Sequence, residues 1–101
     1  MKKWLPYQGG SAVGEIGSED GMILYDEEFD DACRITMERC QRYYAITCGV
    51  YGSMVHTVFR GANEVKETYE AMKRELGDFI RRSVDADEAS EFYEHFCERY
   101  T

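Results

Sequence analysis

Residues 43–60, YYAITCGVYGSMVHTVFR, follow the alternating pattern of two β-strands joined by a tight turn, and both faces of this hairpin are apolar. One face has to be buried in the protein's own core, because an isolated hairpin is barely stable in water. The other face is too apolar and too aromatic for a solvated sheet surface. The sequence therefore predicts a fold built around this hairpin, with an outer face that is available to a partner or a ligand.

The same alternation precedes the hairpin, so residues 22–28 and 33–39 predict two more strands of an antiparallel meander. Two helical patterns follow: residues 63–82, with Asn63 as the predicted cap, and a second helix that begins at Asp85. We expect an α+β domain in which both C-terminal helices pack on one face of a four-stranded antiparallel sheet, as a two-layer sandwich.

Glycine is concentrated at the N-terminus, where the first 21 residues hold five of the nine glycines. We predict that residues 1–21 form an arm and that residues 22–101 form a single domain. Gly9 and Gly14 are spaced as in a phosphate-binding loop, but Glu15 follows where that loop needs a lysine. A carboxylate there would repel phosphate, so the sequence excludes a phosphate-binding loop.

The chain carries a net charge of −8, and this charge is unevenly distributed. Residues 1–33 contain two lysines against eight acidic residues. This balance argues against binding to nucleic acid or to an anionic membrane surface, because both need lysine and arginine. It leaves open a basic protein as a partner.

The sequence predicts neither a secretory signal nor a transmembrane helix, so we expect a cytoplasmic protein. Its cysteines are then expected to be reduced. Cys33, Cys40, Cys48 and Cys97 match no zinc-binding spacing. We therefore predict no metal site and no cofactor.

The turn of the hairpin decides which side chains share a face. Gly52 and Ser53 predict a two-residue type II′ turn, which places Gly49 opposite His56. In this register the outer face has small side chains in the middle and large ones around them, which would form a shallow groove. The candidate residues for binding a ligand or a partner on this face are Tyr43, Thr47, Gly49, Tyr51, Met54, His56 and Arg60.

Cys48 and His56 are the obvious candidates for a nucleophile and its base. The predicted register places their side chains on opposite faces, whereas a three-residue loop would place them directly opposite each other on one face. The apolar pattern disfavours the three-residue loop. We therefore predict no catalytic residue, and the sequence favours a protein that is not an enzyme.

Three functions remain open for this chain. The first is a small non-enzymatic interaction domain that homodimerises, or binds a partner, through the outer face of the hairpin. The second is an acidic antagonist of a basic protein, comparable to the immunity partner of a toxin. The third is a small-ligand sensor or enzyme with a pocket around His56, in which Arg60 anchors an anionic group. Candidates to cover the outer face are a second subunit, a ligand, or Trp4, Leu5 and Tyr7 of the arm.

Overall fold

The computed structural model describes residues 3–101 and has two layers, an antiparallel sheet and a pair of helices. The sheet has five strands, which lie side by side in chain order. The strands are β1 (Trp4–Pro6), β2 (Met22–Phe29), β3 (Cys33–Arg39), β4 (Tyr44–Val50) and β5 (Met54–Arg60), and the helices are α1 (Val65–Arg81) and α2 (Ala86–Arg99). The predicted α+β sandwich is confirmed, although the sheet has five strands where four were expected. No helix within residues 3–101 is long and apolar enough to cross a membrane.

The additional strand comes from the segment that was predicted to be an arm. Trp4 pairs with Phe29 at the edge of β2, and their rings meet edge to face with centroids 5.3 Å apart. Trp4 also lies against Gly77 of α1. A Cβ atom added to Gly77 would stand only 3.0 Å from the indole nitrogen of Trp4. With only three residues and Pro6 at its end, β1 is too short for the alternation that identifies strands.

The core lies between the sheet and the two helices. Alternate residues of β3 and β4 point into it, and the apolar stripe of α1 covers them from the other side. From α2, Phe96 is buried in the same cluster. The members of this cluster that have no exposed surface are Phe29, Cys33, Ile35, Ile46, Met72, Leu76 and Phe96. Both helices therefore pack on one face of the sheet, as predicted.

The two helices begin in different ways. Asp85 caps α2, because its carboxylate accepts a hydrogen bond from the Glu88 amide at 2.9 Å. The cap predicted for α1 at Asn63 is wrong, since the N-cap residue is Glu64 and its side chain makes no capping hydrogen bond. The carbonyl of Gly61 instead accepts hydrogen bonds from the amides of Glu64 and Val65.

The β4–β5 hairpin has a register one residue away from the predicted one. The Ser53 amide donates to the Val50 carbonyl at 2.9 Å, and Gly52 has a φ of +76°. A positive φ at the third position of a hydrogen-bonded four-residue turn identifies a type II turn, in which glycine is favoured at that position. The loop therefore has three residues, and Val50 lies opposite Met54. The predicted two-residue turn is wrong, because that turn needs Gly52 at its second position, whereas Gly52 is the third residue of the turn from Val50 to Ser53.

The new register turns β5 over, because a shift of one residue exchanges the two faces of a strand. Val55, Thr57 and Phe59 lie on the outer face, whereas His56 and Val58 point toward the helices. The residues predicted for the outer face of β4 keep their places. The outer surface of the hairpin therefore differs from the prediction on one strand only.

Candidate functional site

The outer face of the sheet carries an open groove of about 760 Å³. Its floor is formed by Thr36, Thr47 and Gly49, which have small side chains or none. Gly49 has no side chain of its own, and the Val55 side chain lies beside it. A Cβ atom added to Gly49 would stand 3.6 Å from Val55 Cγ2. The Thr47 hydroxyl lies 3.1 Å from the hydroxyl of Thr57, so the two side chains hold each other in place. The groove thus has a floor of fixed, small residues.

One wall of the groove comes from the segment that leads into β2. The Gly14 amide donates to the Ile23 carbonyl at 2.8 Å, and the Ile23 amide donates to the Glu15 carbonyl at 2.9 Å. These bonds hold Ile16 at the rim, where 70% of its surface is exposed. At the other rim Val55 of β5 is 79% exposed. Exposed aliphatic side chains therefore border the groove on both sides.

A buried carboxylate holds the first wall against the sheet. Glu38 of β3 accepts hydrogen bonds from the amides of Glu19 and Gly21, each at 3.1 Å. The Ser18 hydroxyl donates to the same carboxylate at 3.5 Å. A side chain at Gly17 would collide with it, because an added Cβ atom would lie 2.4 Å from the carboxylate carbon. The glycine at this position is therefore needed for the close approach of the loop.

The charged side chains at the groove have internal partners. Arg34 donates to both oxygens of Asp26 at 2.8 Å, and the ring of Tyr7 lies 3.7 Å from its guanidinium. The Tyr51 hydroxyl donates to Glu28 at 2.6 Å. Burial, together with this carboxylate, raises the pKa of Tyr51 well above its usual value. The groove therefore offers hydroxyl groups and apolar surface rather than an unpaired charge.

Of the three arm residues that were candidates to cover the outer face, one lies on it. Tyr7 stacks over Arg34 there. Trp4 packs against Phe29, and Leu5 is exposed in β1. The arm therefore borders the groove and leaves its floor open.

The seven predicted site residues fall into three groups. Those that line the groove from the outer face are Thr47, Gly49 and Tyr51. Tyr43 packs edge to face on Phe59 beside the groove, with ring centroids 5.1 Å apart. Met54, His56 and Arg60 lie on the opposite side of β5, where Met54 faces Val50 in the core and reaches only the edge of the groove, so the predicted place of these three residues on the outer face is wrong. The groove therefore gathers three of the seven on the outer face.

His56 and Arg60 join β5 to the C-terminal end of the chain. The Nε2–H group of His56 donates to the carbonyl of Tyr100, and its ring packs against Phe96 of α2 with centroids 6.4 Å apart. Arg60 donates to the backbone oxygen of Thr101 at 2.9 Å. The prediction that His56 projects into the groove is wrong, and so is a ligand pocket around it on the outer face. The register of β5 is the reason.

Cys48 lies directly opposite His56, which is the arrangement that the predicted register excluded. Cys48 is buried, and this burial raises the pKa of its thiol to about 12. A reactive cysteine needs the opposite shift, toward a thiolate at neutral pH. The Nε2 atom of His56 is also engaged by Tyr100. The pair therefore lacks the properties of a nucleophile and its base.

A second polar cluster lies between α1 and β2. The Tyr69 hydroxyl donates to Glu27 at 2.7 Å, and Lys73 donates to the same carboxylate at 3.0 and 3.2 Å. Burial, followed by the bond to Glu27, raises the pKa of Tyr69 far above its usual value. Because Tyr69 is buried, this cluster ties α1 to the sheet. Within residues 3–101, no group of three or more histidines, cysteines and carboxylates could hold a metal ion.

The acidic N-terminal third is partly neutralised within the molecule. Asp26 pairs with Arg34, and Glu27 pairs with Lys73. Glu28 accepts the hydrogen bond from the Tyr51 hydroxyl described above. An antagonist of a basic protein stays a prediction, with less free charge to support it than the composition suggested.

Three exposed apolar residues at or beside the groove were not indicated by the sequence pattern. The two-residue turn of the predicted register would have placed Val55 and Phe59 on the core face of the sheet. Ile16 stands in a glycine-rich segment without periodicity, so nothing in the pattern could have placed it at a rim.

Known proteins offer no guide to this site. No family model matches the chain, and neither a curated protein nor a solved structure matches it significantly. The function is therefore inferred from the geometry of the molecule.

Proposed function

We propose that the protein is a non-enzymatic interaction domain that binds an extended polypeptide segment in the groove on its outer sheet face. The observation that carries the proposal is the groove itself, which is about 760 Å³ in volume and bordered by the exposed residues Ile16 and Val55. This volume falls within the range of about 300–1,000 Å³ that is typical of small-molecule sites, and the groove is open at the surface, so a longer ligand can extend beyond it. Exposed aliphatic side chains on both rims of the groove favour the binding of a partner between them.

The lining of the groove supports a neutral, extended ligand. The Thr36 and Thr47 hydroxyls at the floor have one internal hydrogen-bond partner each and can accept a further bond from a ligand, and Gly49 beside them adds no side chain. Arg34 is already paired with Asp26, so it is not free to anchor an anionic ligand. A polypeptide segment with alternating aliphatic and small polar side chains matches this chemistry.

A homodimer and a cytoplasmic location belong to the same proposal. In the alternative form of the proposal a second copy occupies the outer face in place of the polypeptide segment, because a two-fold axis places the same residues on both sides. All four cysteines are free thiols, which supports a reducing compartment.

Selection from a library of random peptides displayed on phage tests the groove. Thr47→Trp fills the floor with an indole ring, and Ile16→Glu places a charge on the rim. We expect the wild type to enrich peptides with aliphatic residues at alternate positions and dissociation constants on the order of 1–100 μM. Each variant should weaken the binding of a selected peptide by roughly tenfold or more.

Arg74→Trp is the matched control, because it places the same side chain at an exposed position of α1, far from the groove. Circular dichroism and thermal unfolding show whether each variant keeps its fold. The proposal fails if the wild type enriches no peptide. It also fails if a folded Thr47→Trp variant binds the selected peptides as tightly as the Arg74→Trp control does.

A further inference from the structure

The two edges of the sheet are protected to different degrees. β1 has three residues and ends at Pro6, which has no amide hydrogen to offer. β5 has seven residues and contains neither proline nor lysine, and within residues 3–101 no strand pairs with its outer side. Every second residue of an edge strand points its amide and carbonyl away from the sheet, because ladder bonds alternate. The free side of β5 is therefore a template for another strand.

The exposed side chains on the outer face of this edge include two apolar ones, and the surrounding segment has no acidic residue. Val55 is 79% exposed and Phe59 is 48% exposed, and both lie on the outer face, on either side of Thr57. Residues 39–63 contain three arginines and no acidic residue, a net charge of +3. The rest of the chain then has nine basic against twenty acidic residues, a net charge of −11.

We propose that two copies of the protein pair antiparallel along β5, across a two-fold axis at Thr57, and form one continuous sheet. In this register Val55 lies opposite Phe59 of the partner subunit, and the same contact recurs on the other side of the axis. Each of these two contacts sets an aromatic ring beside a β-branched side chain, which is a favourable cross-strand pair. The row of Thr36, Thr47 and Thr57 that crosses one sheet continues into the same row of the other sheet.

The charge of β5 does not oppose this pairing, whereas acidic side chains oppose an association of two copies through α2. Arg60 is the only arginine, lysine or carboxylate in β5, and the antiparallel register sets it opposite Met54 of the partner subunit. The two Arg60 side chains would be roughly 20 Å apart, beyond the screening length of about 8 Å at physiological ionic strength. Two copies that met through α2 would instead bring acidic side chains together. The exposed acidic residues of α2 are Asp87, Glu88, Glu91, Glu94 and Glu98.

The pairing is expected to be weak, because seven residues from each copy fall short of the roughly 20–30 residues a side in standard interfaces. We expect a dissociation constant on the order of 10–100 μM. The dimer also extends the rim of the groove, since Phe59 of the partner subunit stands beside Val55. This last consequence rests on the proposed function, whereas the dimer itself does not.

Sedimentation equilibrium over a range of protein concentrations tests the dimer. The wild type should shift from monomer to dimer between roughly 1 and 500 μM. Val55→Lys adds the charge with which natural edge strands are protected, and it should weaken dimerisation by roughly tenfold or more. Leu5→Lys is the matched control at the other edge, where Leu5 is exposed, and it should dimerise like the wild type. A wild type that stays monomeric, or two variants that are weakened equally, would overturn the proposal.

Cysteine cross-linking tests the register of the pairing, in a background that carries Cys40→Ser and Cys97→Ser. Thr57→Cys places two thiols across the axis with Cα atoms about 4.5–5.5 Å apart, within reach of a disulfide. Val55→Cys is the control, because two copies of this residue would be roughly 14 Å apart along the paired strands. Under mild oxidation Thr57→Cys should form covalent dimers much faster than Val55→Cys. Equal cross-linking by both variants would contradict an axis at Thr57.

The groove and the dimer can be tested separately. Ile16→Glu alters the groove and leaves β5 unchanged, so it should dimerise like the wild type, whereas Thr47→Trp also removes the hydroxyl that bonds to Thr57. Loss of dimerisation in Ile16→Glu would contradict edge pairing. Normal dimerisation of a wild type that enriches no peptide would support the dimer and contradict only the proposed function.

Discussion

At the scale of single residues, burial decides which chemistry the side chains can perform. Cys48 and His56 are neighbours on adjacent strands, yet burial raises the pKa of the thiol to about 12. The imidazole beside it is held by the carbonyl of Tyr100. Glu38 is a buried carboxylate whose hydrogen bonds to loop amides support a wall of the groove. Cys48, His56 and Glu38 therefore have structural roles in this molecule.

Alkylation of the native protein with iodoacetamide tests the assignment of Cys48. At neutral pH it should react about a hundredfold or more slowly than a free cysteine, because very little thiolate forms below its pKa of about 12. The rate should also stay low through roughly pH 8–9, where an unperturbed thiol ionises. Partly exposed Cys97 is the internal control and should react faster. If Cys48 reacted first, or if His56→Ala slowed its reaction, the pair would be an activated nucleophile after all.

At the scale of strands and helices, the elements could be predicted from the sequence and the register could not. Alternation in the strands and the 3.6-residue period in the helices follow from the burial of one face, so the sequence reveals them. The register depends on a single turn, and Gly52 fits two turn types that both need a positive φ at its position. Val55 and Val58 are equally apolar, so composition could not decide which of them is buried.

A matched pair of substitutions in β5 tests the observed register. Val58→Thr places a hydroxyl in the core, since Val58 is 1% exposed, and should lower the free energy of unfolding by about 2 kcal/mol. Val55→Thr changes an exposed residue of the same strand and should alter this free energy by less than about 0.5 kcal/mol. Urea denaturation at low protein concentration measures both values. The reverse order of the two effects would favour the two-residue turn.

At the scale of the whole molecule, the sheet has one protected edge and one open edge with a groove beside it. The two-layer architecture could be predicted because each layer follows from local periodicity. The wall that contains Ile16 could not, since its loop is held by Glu38, which lies 17 to 20 residues away in the sequence. In the same way, Trp4 joins the sheet through distant contacts with Phe29 and Gly77. The groove is the basis for the proposed interaction domain, and the asymmetry of the edges is the basis for the proposed dimer.

Concentration-dependent hydrogen exchange, measured by NMR, tests most directly whether the free edge of β5 binds another polypeptide. Between roughly 10 and 500 μM, we predict that the outward-pointing amides of Met54–Arg60 become several-fold more protected, because pairing with a second copy removes them from water. The amides of Trp4 and Leu5, at the protected edge, should exchange at an unchanged rate. Equal exchange of the β5 amides at both concentrations, or protection that grows on α2 instead, would contradict an interaction surface at β5.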